Sequence, residues 1–257
     1  MNQMDDKELE RLRYDGRAMK TRHGFQHEAD AKYGASSVSR VFKSPYVFYE
    51  FLLGQVLMPD LLVLEIGSGT GEFTEVLLRS GATVIASDIS AQSLELLRLR
   101  YANYENLKIQ SCDMEQLPFE DGLFDIITSA GSLSYGNNEL VLFHIKRLLK
   151  PGGYFVCVDS LNHNPLYRLN RYFRYLKGER TRSTLMRMPT VELISKYLST
   201  LDGPSTVRFF GSISWLMEPL SLFCSQEWLS DLSDRIDQFF QVRKSAFKFV
   251  LMVKKAV

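Results

Sequence analysis

The chain has 257 residues, 45% of them apolar and 24% charged, with 31 Lys plus Arg against 30 Asp plus Glu. These ordinary globular statistics exclude collagen-like, intrinsically disordered and disulfide-scaffold classes. A formal net charge of +1 gives no global field for drawing in polyanions, so any basic site must come from local clustering. Cys112, Cys157 and Cys224 are odd in number and far apart, which suggests neither a disulfide framework nor a zinc site and fits a reducing compartment. The polar N-terminus carries no apolar leader core, and no stretch approaches bilayer-spanning length. The expectation is a soluble, cytoplasmic protein.

Residues 1–60 mix charged segments with aromatics, as in Tyr46-Val47-Phe48-Tyr49-Glu50-Phe51-Leu52-Leu53, and their apolar positions recur at helical spacing. Two or three helices acting as a lid or brace are expected. The character then changes: 61–66 is a short apolar run stopping at Gly67, 73–78 has a helical pattern, and 83–87 is a second buried strand. A helix over 91–104, a strand over 107–111, a strand over 124–129, a helix over 139–149 and a strand over 154–158 follow. The helix at 139–149 ends at Lys150-Pro151-Gly152-Gly153 with the expected stop signals. Strands alternating with helices imply a parallel sheet covered on both faces, with ligands at the carboxyl ends of the strands. Residues 160–205 interrupt the alternation with a mostly helical insertion rich in Arg and Tyr. A strand over 206–215, an amphipathic helix over 226–240 and a strand over 246–254 complete the pattern. Trp215, Trp228, Phe209, Phe210, Phe239 and Phe240 are expected in the core.

Glu65-Ile66-Gly67-Ser68-Gly69-Thr70-Gly71 lies between a predicted strand and a predicted helix. Glycines at alternate positions let the chain turn sharply and let its backbone approach a ligand, beside a helix start that favours negative groups. A nucleotide-like ligand is implied. The third glycine comes one residue earlier than in the dinucleotide fingerprint, which disfavours a nicotinamide oxidoreductase. With the acidic Glu65, the segment resembles motif I of the class I S-adenosylmethionine-dependent methyltransferases. Other matches follow in order: Asp88 at the end of the second strand, Cys112-Asp113-Met114 after the third, and Leu148-Leu149-Lys150-Pro151-Gly152-Gly153 before the fifth.

The resemblance implies a Rossmann-like α/β fold: a seven-stranded, mostly parallel sheet with an antiparallel terminal strand. One domain spans 1–257, divided into a helical lid (1–60), a cofactor-binding core (61–159), an insertion or substrate cap (160–205) and a terminal strand-helix-strand unit (206–257). It implies S-adenosylmethionine as cofactor, held by Glu65, Gly67, Ser68, Gly69, Thr70, Gly71, Asp88, Ile89, Asp113, Met114 and Ser129. Asp88 would accept the ribose hydroxyls and Asp113 the adenine amine. The chemistry would be in-line displacement at the sulfonium methyl, which needs alignment of two ligands and no metal.

The small polar loop 129–136 after the fourth strand offers Ser132 and Tyr135 for contact with the donor or acceptor, Tyr135 also as a catalytic candidate and Ser132 as a substrate-binding one. His163, after the fifth strand, is the candidate base, because its ordinary pKa lies near working pH. Arg168, Arg171 and Arg174 recur at i, i+3 spacing beside Tyr167, Tyr172 and Tyr175, a face suited to phosphate or carboxylate. Asn164-Pro165-Leu166-Tyr167 departs from the Asn-Pro-Pro-Tyr signature of base methyltransferases and reads as a turn. The opening of the insertion is similar to that of bacterial methyltransferases associated with surface-polysaccharide synthesis. The expectation is a small, anionic acceptor such as a phosphate-linked sugar or glycan. The alternatives are an RNA or protein methyltransferase that docks through the basic insertion, against which the near-neutral charge leans, and a non-catalytic S-adenosylmethionine-binding protein. Oligomeric state is not legible in the sequence.

Overall fold

The computed structural model describes residues 6–25, 34–38, 42–213, 220–239, 243 and 245–257. Its central strands are buried on both faces, which is why they read as unbroken apolar runs. Along β1 (Leu62–Ile66), Val63 faces one side of the sheet and Leu64 and Ile66 the other. Along β5 (Leu149–Ser160), Phe155 and Cys157 alternate with Val156 and Val158 in the same way. Helices cover both faces. On one side lie α2 (Ser44–Val56), α3 (Thr74–Leu78) and α4 (Ala91–Arg100), packing Leu53, Leu77 and Leu97 against Val63 and Val84. On the other lie α5 (Asn138–Leu148) and, after the insertion, α8 (Val191–Leu201), which bring Ile145, Leu148 and Tyr197 onto Phe155.

Adding β2 (Thr83–Asp88), β3 (Leu107–Ser111), β4 (Phe124–Ala130), β6 (Asp202–Phe210) and β7 (Lys248–Lys255) gives one seven-stranded sheet in the order β3-β2-β1-β4-β5-β7-β6. The first five strands pair in parallel, and β7 runs antiparallel to both its neighbours. The seven-stranded, mostly parallel sheet with an antiparallel terminal strand expected from the sequence is therefore the fold observed. The strand order reverses direction between β1 and β4, the place where such sheets open a crevice.

Several boundaries differ from expectation for local reasons. The helix expected over 91–104 stops at Arg100, because Tyr101 turns inward and its hydroxyl donates to the Gly71 carbonyl at 2.6 Å. The strand expected over 154–158 starts at Leu149. Its pairing with β4 shifts register between Phe124 and Ile126, so Pro151-Gly152-Gly153 is a bulge within the strand. The strand expected over 206–215 starts at Asp202, a left-handed residue directly after α8. Trp215 and Phe240 lie outside the described residues. Trp228 and Phe239, expected in the core, are exposed on α9 (Gln226–Phe239), which buries Leu229, Ser233 and Asp237 instead.

The insertion holds α6 (Pro165–Leu176) and α7 (Arg182–Met186). Asn164 caps α6, its side chain accepting from the Leu166 and Tyr167 amides, with Pro165 at the first helical position. The N-terminal helix α1 (Asp6–Phe25) crosses the carboxyl ends of β2 and β3. It is tied there by Ser90 Oγ donating to Asp15 at 2.6 Å, and to the insertion by Thr184 Oγ1 and Thr181 Oγ1 donating to Glu10 at 2.8 and 3.0 Å.

Phe155 is fully buried and stacks on Tyr197 with ring centroids 5.3 Å apart. Phe155→Ala should lower stability by about 3–5 kcal/mol, read as a lower denaturant midpoint with an unchanged slope.

Candidate functional site

The carboxyl ends of β1 to β4 open into one cavity of about 260 Å³. Glu65 enters from β1, Asp88 from β2, Asp113 from just beyond β3, and Ser132 and Tyr135 from the turn after β4. Helix α1 roofs it with Lys7, Glu10 and Tyr14.

After Ile66 the chain reverses through Gly67, whose φ is +66° and where a Cβ would lie 2.4 Å from Ser132 Cβ. A side chain there is barred by both strain and contact. That contact is tight because the Ser132 hydroxyl donates to the Ile66 carbonyl at 3.0 Å and shares a 2.6 Å bond with Ser129 Oγ. Gly71 serves packing: a Cβ there would be 2.7 Å from the Tyr101 ring. Between them, the Ser68 amide donates to the Ser87 carbonyl at 2.9 Å, while its buried hydroxyl lines the cavity without a protein partner. An orphaned buried hydroxyl is costly unless a ligand meets it.

The three carboxyl groups are held differently. Glu65 is 3% exposed, and burial pushes its pKa up to about 8, against the 2.6 Å bond from Thr74 Oγ1. Asp88 is also raised by burial, although the Ser90 and Gly69 amides donate to its two oxygens at 2.8 and 2.9 Å and aim it at the cavity. Asp113 meets Lys7 of α1, whose ammonium lies 2.6 Å from both Asp113 and Glu115. Burial pulls the Lys7 pKa down, but these two hydrogen bonds outweigh it and leave the group raised.

The loop after β4 is fixed from below. The Leu133 amide donates at 2.9 Å to Asp159, a buried carboxyl that burial raises and Lys248 and Arg171 partly offset. The loop thereby presents Tyr135, which Tyr14 meets edge to face at 5.4 Å.

Of the residues singled out in the sequence, Glu65, Gly67, Ser68, Gly69, Asp88, Ile89, Asp113, Met114, Ser132 and Tyr135 line this cavity. Thr70, Gly71 and Ser129 do not: the Thr70 hydroxyl donates to Glu72 at 2.5 Å, and Ser129 supports Ser132 from behind. His163 does not reach the cavity either. Its Nε2 accepts the Val191 amide at 2.9 Å at the start of α8, so the lone pair a base would use is taken. Arg168 and Arg174 are exposed, and Arg171 is buried, donating to the Leu161 carbonyl at 2.9 Å. Burial, reinforced by nearby Arg180, lowers the Arg171 pKa to about 10. Lys7, Glu10, Tyr14, Glu72 and Phe73 were missed. Lys7, Glu10 and Tyr14 follow i, i+3, i+7 spacing, one helix face, but a face mixing charge with one ring carries no apolar-periodicity signal.

The glycine bend, the strand-end carboxyl groups and the sheet order make a Rossmann-like α/β fold with a ligand cavity at the carboxyl ends of its parallel strands. Residues 64–157 match a family model described as a methyltransferase domain. The chain is 36% identical over 122 residues to a demethylmenaquinone methyltransferase of Clavibacter sepedonicus, covering 45% of this chain and 48% of that protein. It is 28% identical over 165 residues to a malonyl-[acyl-carrier protein] O-methyltransferase of Buchnera aphidicola, covering 64% of each. The chain thus spans about half the length of the first of these relatives and just under two thirds of the second. In fold it is similar to geranyl diphosphate C-methyltransferase of Streptomyces coelicolor, solved with Mg2+, geranyl diphosphate and S-adenosyl-L-homocysteine. There the TM-score is 0.57 at 16% identity, over 82% of this chain and 80% of that one. Among the described residues, no cluster of His, Cys, Asp or Glu is arranged to hold a metal, and no helix is long and apolar enough to cross a membrane.

Two outcomes are expected. The Glu65 carboxyl titrates at its ordinary 4.5 when unfolded and at about 8 when folded, so without ligand the folded state loses stability as pH rises through that window. Glu65→Gln removes the loss: its melting temperature should exceed that of the parent at pH 8, and the gap should close as pH falls toward 4.5. Lys7→Met should loosen α1, seen as faster amide hydrogen exchange across residues 6–18 with the sheet unchanged.

Proposed function

We propose that this chain transfers a methyl group from S-adenosylmethionine to a small, anionic acceptor by in-line displacement. The observation that carries this reading is the convergence of Glu65, Asp88, Asp113 and the unpartnered Ser68 hydroxyl on one cavity at the glycine bend. This donor set fits the ligand. Glu65 and Ser68 would meet the amino-acid end, Asp88 the ribose hydroxyls, and Asp113 the adenine amine as Lys7 yields or shares its carboxylate. Ile89 and Met114 supply apolar walls for the ring. Once bound, the donor supplies an activated methyl carbon, and the protein's task is to align the acceptor and exclude water.

Tyr14, Phe73 and Tyr135 form an aromatic wall for the acceptor. Burial holds the Tyr14 hydroxyl far above its usual range, so it remains protonated and orients the acceptor as a hydrogen-bond donor. No histidine lines the cavity among the described residues. Exposed Arg168 and Arg174 support an anionic acceptor, such as a phosphate-linked sugar or glycan, by holding a distal group that extends past the roof, whereas Arg171 is already engaged. The names of the similar proteins, for demethylmenaquinone and geranyl diphosphate, also point to small organic acceptors.

Calorimetry with S-adenosylhomocysteine tests the donor site. Binding is expected, and Asp88→Asn should weaken it about 10- to 100-fold; no heat from folded protein overturns the reading. Mass spectrometry of a panel of phosphate-linked sugars, quinols and acyl thioesters tests the acceptor. Gain of one methyl mass only on neutral compounds would remove the anionic class. With a working acceptor, Tyr14→Phe should lower kcat about 10-fold and leave the shape of the pH profile unchanged, as loss of an orienting donor requires.

A further inference from the structure

Helix α6 is built inside out. Its buried side chain is a cation, Arg171, which donates to the Leu161 carbonyl, while half-buried Tyr167 stacks on Phe247 with centroids 4.3 Å apart. The opposite face is apolar and open to solvent: Leu166 is 48% exposed, Leu169 50%, Phe173 53% and Leu176 60%. These four follow i, i+3, i+7, i+10 spacing and form one continuous stripe, with exposed Tyr172 beside it. A packed helix of a water-soluble surface carries the reverse arrangement.

Cations frame the stripe. At helical angular spacing Arg168 falls on one edge and Arg174 on the other, and Lys177 and Arg182 follow at the carboxyl end. Arg168, Lys177 and Arg182 make no ion pair among the described residues, and Arg174 meets only Glu179, at 3.8 Å, with both side chains more than half exposed. Apolar side chains bordered by unneutralised Arg and Lys match the interfacial plane of an anionic bilayer, where the apolar stripe enters the acyl boundary and the cations meet headgroup phosphates.

Position adds to this. Helix α6 leaves the sheet at the carboxyl end of β5, the end where the cavity opens, and the segment after β6 emerges at that same end with Phe223 85% exposed. The start of α7 also holds the roof: its cap Thr181 and Thr184 donate to Glu10, and the Ser183 amide donates to Asp6 at 3.2 Å. The surface that would touch lipid is therefore hydrogen-bonded to the helix covering the cavity.

We propose that α6 is an interfacial docking helix that seats this chain on the surface of an anionic phospholipid bilayer. The inference does not depend on the donor cavity, since it concerns the outer surface of α6; it shares Arg168 and Arg174 with the acceptor reading, so the variants below leave both in place. Co-sedimentation of the full chain with vesicles of phosphatidylcholine alone, or with about one third phosphatidylglycerol, tests it. Binding is expected to the anionic vesicles and to weaken with added salt. Leu169→Glu/Phe173→Glu should reduce the bound fraction at least ~10-fold while S-adenosylhomocysteine binding, the check on folding, is kept. Should that pair misfold, Lys177→Gln/Arg182→Gln, which leaves the apolar stripe intact, should reduce preference for anionic over neutral vesicles. The proposal is overturned if the parent chain stays in the supernatant with anionic vesicles, or if a folded Leu169→Glu/Phe173→Glu variant sediments as the parent does. It is equally overturned if the chain is a dimer that this substitution splits, with no vesicle binding by either form, since the face would then belong to a second copy.

Discussion

A parallel sheet brings its strand ends together, and here that geometry places three carboxyl groups around one small cavity. Each must be satisfied separately, since burial of an unpaired carboxylate is costly. Glu65 answers by holding its proton and accepting from Thr74; Asp88 takes two backbone amides; Asp113 takes the ammonium of Lys7. Much of the architecture around the cavity follows from these three solutions. The Gly67 reversal, the Ser132 contact beneath it and the seating of α1 all put donors where the strand ends require them.

The Lys7 contact couples ligand to roof. A positively charged side chain on α1 occupies the carboxylate expected to take the adenine amine, so a ligand reaching Asp113 and the helix covering the cavity act on the same group. Because Glu10 on that helix is bound by Thr181 and Thr184, the coupling extends into the insertion. The cavity wall, its roof and the insertion are joined by one run of hydrogen bonds, from Asp113 through Lys7 and Glu10 of α1 to Thr181 and Thr184.

The insertion shows where pattern reading can mislead. Arg168, Arg171 and Arg174 share a helical stripe, and such a stripe suggests one common role. In the structure the middle residue packs inward and the outer two frame an apolar face. Likewise His163 stands after a strand end, as a catalytic base would, yet its ring caps α8, whose start is held beside it by the Asn162 amide donating to the Pro189 carbonyl at 2.9 Å.

The sheet, the glycine bend and the strand-end acids Glu65, Asp88 and Asp113 are legible in the order of residues alone. These are local: apolar runs set strands, glycines at fixed offsets set the reversal, and a residue at a strand's carboxyl end can go only to the crevice. Only the packed chain shows that Lys7, Glu10 and Tyr14 close the cavity, that His163 and Arg171 turn away from it, and that Trp228 faces solvent. The roof depends on surfaces that meet across more than a hundred residues of chain, as between Lys7 and Asp113, while His163 and Arg171 are turned by nearer partners, Val191 and Leu161. Such contacts follow from mutual packing and desolvation, which no spacing along one segment encodes.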